Sequence, residues 1–262
     1  MPEERKRLVY KQMGERESEL TLVFLHGSAM TKEGMLPVVK GFTKYNCIVF
    51  DLTAHGESAG EEPREIQTFS EDVEYSVEQL QQEKVIGEKI VLLGYSMGGA
   101  ITCDIAIRKK MQLSGMVLLS SGADLSSYTP LVDELKKMPV EKFRVEDVFP
   151  CLFGSDTPQE EQQTIIEIFN STKASNEISY GDLMVSNRYN RLAECSNIDI
   201  PTLIVQGNDD KIVLPMAALE TWKMIPKSEL LMVPYKGHAA MIEDKELVGE
   251  KISVFLGKII EI

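Results

Sequence analysis

Val91-Leu92-Leu93-Gly94-Tyr95-Ser96-Met97-Gly98-Gly99-Ala100 reads "VLLGYSMGGA", an apolar run followed by a serine boxed between glycines. A continuous apolar run suits a strand covered on both faces. The glycines at 94, 98 and 99 suit a sharp strand-to-helix turn that exposes one hydroxyl. Alone, a G-x-S-x-G pattern is weak, because composition yields one by chance in roughly one chain in ten of this length. Its meaning depends on whether the rest of the chain supplies the partners such a serine needs.

The apolar signature recurs outward from this stretch. "ELTLVFLHG" (Glu19 to Gly27), "NCIVFDL" (Asn46 to Leu52), "KIVLLGYS" (Lys89 to Ser96), "LSGMVLLSS" (Leu113 to Ser121), "PTLIVQG" (Pro201 to Gly207) and "ELLMVP" (Glu229 to Pro234) all read as strands. Between them, "TFSEDVEYSVEQLQQEKV" (Thr68 to Val85) sets Val73, Val77 and Leu80 at helical spacing, with Ser70 as its candidate N-cap. A second helix is expected to begin at Ser96 and close on Arg108, Lys109 and Lys110, cations that suit a helix C-terminus. A last one is expected over about 242–260. This alternation predicts an α/β fold, a mostly parallel, doubly wound sheet flanked by helices.

One region breaks the rhythm. From 122 to 199 no buried strand is evident, and "TPLVDELKKM", "VEKFRVEDVF" and "TPQEEQQTIIEIFNS" read as short helices. The expectation is a core of 1–121 and 200–262, with 122–199 inserted as a helical cap over the carboxyl edge of the sheet, where ligands of α/β sheets bind. Phe143, Phe149, Leu152, Phe153, Ile165, Phe169, Leu183 and Met184 are candidates for an acyl or aryl pocket, and also for packing that cap onto the sheet.

Composition narrows the partners. The 262 residues are 43% hydrophobic and carry a formal charge of −13, which argues against nucleic acid or an anionic membrane as the main partner. No apolar run is long enough to span a membrane, and the opening "MPEERKRLVYKQMGERESEL" lacks a signal-like apolar core. The four cysteines, Cys47, Cys103, Cys151 and Cys195, form no C-x-x-C or zinc spacing, so free thiols in a reducing cytoplasm are expected. No H-x-x-x-H, H-E-x-x-H or phosphate-loop pattern occurs, so neither metal nor cofactor is expected.

A serine hydroxyl is a poor nucleophile until a base takes its proton and an acid orients that base. Three histidines are available. His238, in "VPYKGHAAMIED", follows the last strand and opens at the same sheet edge as Ser96, which makes it the first candidate for the base. His26 is the next candidate and otherwise shapes the loop after "VFLHG"; His55 is expected to stabilise its own turn. The acid is sought at another strand end, where "PTLIVQGNDDKIVLP" offers Asp209 and Asp210, with Asp124 as a further possible position. The N–H groups of Met97 and Ser28 are the candidate donors to an oxyanion.

"HGSAM" (His26 to Met30), "DLTAHGES" (Asp51 to Ser58), "GYSMGG" (Gly94 to Gly99), "GNDDKIV" and the "GH" of Gly237 and His238 together resemble the α/β-hydrolase fold superfamily. The resemblance covers nearly all of the chain outside 122–199, and Ser…Asp…His is the chain order of that fold. It implies that the acid falls three residues after Gly207, at Asp210, that His238 is the base, and that Ser28 donates to the oxyanion. "DLTAHGES" departs from the common D-x-x-G-H-G-x-S turn by carrying Ala54 where glycine is usual. Serine at position 96 sets the chain apart from the epoxide hydrolase and haloalkane dehalogenase branches, which use a carboxylate there. Size and cap are similar to those of small intracellular esterases and monoacylglycerol-lipase-like members.

The leading functional expectation is cofactor-free hydrolysis of a small-molecule carboxylic ester through an acyl-enzyme on Ser96. Thioester hydrolysis, carbon–carbon bond hydrolysis or a lyase reaction on the same triad are alternatives, as is a non-catalytic ligand-binding protein on this scaffold.

Overall fold

Seven strands form one sheet in the computed structural model, which describes residues 5, 7–61 and 63–261. Part of the opening stretch read above for a signal segment, residues 1–4 and 6, lies outside the described residues. The strands are β1 (Tyr10–Gly14), β2 (Leu20–Leu25), β3 (Asn46–Phe50), β4 (Lys89–Tyr95), β5 (Gly115–Leu119), β6 (Thr202–Gly207) and β7 (Ser228–Val233). Their spatial order is β1-β3-β2-β4-β5-β6-β7; β1 runs antiparallel to β3 and every other pair is parallel.

The apolar runs explain the burial. Every residue of β2, β3, β5 and β6 is buried, as strands covered on both faces require. Each fully buried aliphatic or phenyl side chain contributes roughly 1.5–3 kcal/mol relative to exposure. β1 escaped the sequence reading because its four leading residues are only half-buried, so "YKQMG" carries no apolar run.

Nine α-helices among the described residues connect these strands: α1 (Leu36–Val39), α2 (Ile66–Gln82), α3 (Met97–Arg108), α4 (Pro130–Leu135), α5 (Gln159–Thr172), α6 (Asn176–Ser186), α7 (Pro215–Met224), α8 (Ala240–Glu243) and α9 (Lys245–Ile260). The expected N-cap at Ser70 is overturned. Glu65 occupies that position, and Ser70 sits one turn inside α2, where its hydroxyl donates to the Ile66 carbonyl. The closing helix is broken as well: Asp244 interrupts it and accepts from the Leu247 N–H, capping α9. Between β5 and β6 the described chain holds α4, α5, α6 and 3-10 turns, with only the isolated bridge Asp124–Asn190 between extended residues.

Chain order reverses between β2 and β4, so their carboxyl ends flank the switch point where α/β sheets open a crevice. The loop after β2 carries Ser28, and the turn after β4 carries Ser96.

Ala54, the departure noted above, has φ 67. The left-handed region costs an L-residue roughly 1–2 kcal/mol, and glycine gives back about 0.5–1 kcal/mol as chain entropy. Ala54→Gly is therefore expected to stabilise the protein by about 0.5 kcal/mol, read as a higher urea midpoint at unchanged slope. A lower midpoint would show that the Ala54 methyl contributes more packing than its conformation costs.

Candidate active site

Ser96 occupies the bend between β4 and α3, with φ 51 and ψ −116. Neighbouring glycines make the bend possible. A Cβ on Gly94 would lie 2.1 Å from the Gly98 carbonyl oxygen, and one on Gly98 would lie 2.4 Å from the Leu25 carbonyl oxygen. Ser96 itself is anchored by its backbone. Its N–H donates to the Leu119 carbonyl (2.9 Å), and its carbonyl accepts from the Gly99 N–H (2.9 Å) and the Ser121 hydroxyl (2.7 Å). The side chain is left to project from a rigid turn.

The structure separates the two aspartates after β6. Asp210 is buried, and its Oδ2 lies 2.8 Å from His238 Nδ1. A carboxylate only accepts, so Nδ1 carries the proton and Nε2 is left as the basic nitrogen. The remaining bonds into Asp210 come from the Ile212 N–H (2.9 Å), the Val213 N–H (3.0 Å) and Gln206 Nε2 (2.8 Å). Gln206 was not foreseen. Its only sequence signal is a polar side chain near the end of an otherwise apolar strand, four residues before Asp210. Asp209 turns away and accepts from the Ser155 N–H and hydroxyl, and Asp124 accepts from Ser126 and Ser127. Tyr95 tilts its ring against His238, with centroids 5.1 Å apart.

His238 and Ser96 open on one cavity of about 40 Å³, together with Ser28 and Ala29. Its walls are Val145, Val148, Phe149, Leu152, Phe169, Leu183, Ile212 and Tyr95. Four of the apolar pocket candidates therefore face the site. Phe143, Phe153, Ile165 and Met184 do not line it. Met97 is fully buried and also absent from the lining, but its N–H sits at the free end of α3, where helix N–H groups lack partners. Ser28 holds its N–H on the opposite loop. Among the described residues no backbone carbonyl takes up either N–H.

His26 and His55 do different work. His26 Nδ1 donates to the Gly27 carbonyl (2.9 Å), and Nε2 accepts from the Leu52 N–H (3.1 Å), tying the end of β2 to the residues after β3. Burial, helped by the neighbouring His55, holds its pKa down at about 3. Its unfolded value is about 6.5, so its contribution to stability is complete above pH 6.5 and is lost as pH falls toward 3. Stability should drop by about 2 kcal/mol between pH 6.5 and 5 from this group. Urea unfolding across that range, with the His26 ring followed by NMR, checks this; a ring titrating near pH 6.5 in the folded protein would refute it. His55 holds its own turn, as expected, through Nδ1 and the Thr53 carbonyl (2.9 Å), but its Nε2 also reaches Asp182 of α6 (2.9 Å).

Comparison with known proteins agrees with this geometry at the level of fold and family. Residues 16–245 match the family model Hydrolase_4, described as "Serine aminopeptidase, S33". Lipase 1 of Psychrobacter immobilis is 24% identical over 257 residues, covering 95% of this chain and 80% of that protein. The proline iminopeptidase of Saccharolobus solfataricus is 24% identical over 283 aligned residues, covering 96% and 89%. Among solved structures, a lipase-esterase related protein from Clostridium acetobutylicum superposes with TM-score 0.83 at 25% identity, covering 95% of this chain and all of that one. No helix among the described residues is long and apolar enough to cross a membrane. The chain belongs to the Hydrolase_4 family of the α/β-hydrolase fold superfamily.

Proposed function

We propose that the protein is a serine hydrolase cleaving a carboxylic ester with a small or medium apolar acyl or aryl group. Ser96 Oγ attacks the carbonyl carbon and its proton passes to His238 Nε2. Charge developing on the carbonyl oxygen is taken by the Ser28 and Met97 N–H groups. The tetrahedral species expels the alcohol, which His238 protonates, leaving an acyl-enzyme on Ser96. Water then attacks that ester, giving its proton to His238, and the acid leaves as Ser96 recovers its own. Asp210 keeps the imidazole in one tautomer and stabilises the imidazolium in both halves. Residues 122–199 act as a cap that shapes the acyl pocket, while 1–121 and 200–262 form the core.

One observation carries this reading. Ser96 and the Asp210-bound His238 share a cavity whose remaining walls are almost entirely apolar, and no carboxylate among the described residues lines it. An aminopeptidase must receive a substrate ammonium, and burying that charge without a partner is costly. The apolar lining therefore favours a neutral acyl group over an amino-terminal peptide.

Fluorophosphonate labelling of wild type, Ser96→Ala and His238→Ala, read by intact mass and peptide mapping, tests the proposal. A single adduct on Ser96, absent from both variants, is expected. A folded wild type that takes no adduct would overturn the nucleophile assignment.

A further inference from the structure

Asp182 lies on α6, and its carboxylate is fully buried. Its Oδ2 accepts from the Ala29 N–H at 2.8 Å and stands 2.9 Å from His55 Nε2. Both His55 ring nitrogens thus face oxygen acceptors, an arrangement that an imidazolium paired with a carboxylate satisfies. Asp182 Oδ1 is buried with no hydrogen-bond partner among the described residues. Burying such a pair costs more than an apolar side chain of similar volume, so packing of α6 does not by itself account for it.

The residue that Asp182 grips is the neighbour of Ser28. Ala29 sits at φ 64, a left-handed conformation that persists only where the surroundings hold it. Both of its backbone polar groups are held by the 122–199 segment: the N–H by Asp182, and the carbonyl by the Ala174 N–H at 2.9 Å. Ser28 Oγ lies 3.4 Å from Ser186 Oγ, again on α6. The core secures the far end of the loop, where the Lys32 N–H donates to Asp51 Oδ1 at 2.8 Å.

We propose that Asp182 is a positioning residue for the oxyanion loop, so that the Ser28 N–H is aimed at the reacting carbonyl only while α6 is seated. The inference rests on the serine-hydrolase reading above. Without α6, the Ala29 N–H loses its partner and only the Ala174 N–H, which precedes that helix, still holds the residue, so Ala29 relaxes from its left-handed conformation and the Ser28 N–H moves with it. Substrate binding depends on the apolar walls and is left largely intact; transition-state stabilisation is not.

The test compares wild type, Asp182→Ala and Asp182→Asn. An asparagine whose oxygen takes the Oδ2 place still accepts from the Ala29 N–H and from a His55 Nε2–H, so this variant is expected to recover most of the activity. Asp182→Ala should lower kcat for a p-nitrophenyl ester by about 100-fold, the scale of a one-ångström misplacement, with KM changed less than about threefold. A loss confined to KM, or a kcat within threefold of wild type, would overturn the proposal, as would an Asp182→Asn variant as impaired as Asp182→Ala. Should the alanine variant not fold, the double variant His55→Gln/Asp182→Ala removes both members of the buried pair and is expected to show the same kcat loss. Amide hydrogen exchange separates the two layers of inference. The peptide spanning 27–31 should exchange at least tenfold faster in Asp182→Ala, whether or not esters are turned over. Faster exchange in a protein whose Ser96 takes no fluorophosphonate would keep the hold on the loop and defeat the hydrolase reading. Unchanged exchange in a protein that labels would do the reverse.

Discussion

Ser96→Ala is expected to reduce ester turnover by a factor on the order of 10⁵–10⁶, to the level of residual binding and oxyanion stabilisation. The alanine removes only the hydroxyl. The backbone bonds that hold the bend run through the Ser96 N–H and carbonyl, which alanine retains. Alanine and serine also meet similar steric cost at φ 51, so the fold and its urea midpoint should be nearly unchanged. Steady-state kinetics on a preparation free of host esterases checks this. Residual turnover within a hundredfold of wild type would mean that another group, or a bound water, attacks the carbonyl.

Asp210→Asn is expected to lower kcat by about 10⁴-fold. The reason is the tautomer rather than the charge alone. An asparagine fixed by the Ile212 and Val213 N–H groups through its oxygen presents its amide to His238 Nδ1. That nitrogen must then accept, Nε2 takes the proton, and the imidazole can no longer receive one from Ser96. Asp209→Asn and Asp124→Asn provide the contrast, because their carboxylates serve turns around Ser155 and Ser127. Each should change kcat by less than about threefold, because neither carboxylate reaches His238. Equal losses at 209 and 210 would show that the loop, and not one carboxylate, is what matters.

Most of the fold was legible because buried parallel strands write themselves as continuous apolar runs. The six such runs correspond to β2 to β7, each within two residues at either end. β1 was illegible for the same physical reason in reverse, since an edge strand with half-buried side chains needs no apolar pattern. Ser70 misled because serine favours N-caps, while a serine inside a helix can equally bond back to the preceding turn. Within the site, strand ends pointed to Ser96 and His238, but residue types alone left Asp209, Asp210 and Asp124 open. The resemblance singled out Asp210, and of the three carboxylates it is Asp210 that reaches His238. Gln206 was missed because a polar side chain near a strand end belongs to no spaced motif, and Asp182 because it acts on the backbone N–H of a residue distant in sequence.

The cavity beside Ser96, at about 40 Å³, has room for roughly one water molecule. If Ser96 receives an ester as proposed, the walls from 145 to 169 must draw back to admit its acyl group while α6 stays seated. On the proposed serine-hydrolase reading, each catalytic cycle then includes an opening event, a motion of the microsecond-to-millisecond class. For sluggish esters chemistry is slower than opening, and rate follows leaving-group quality. For highly activated esters the order inverts, and their rates converge on one ceiling that measures the gate and is blind to the ester.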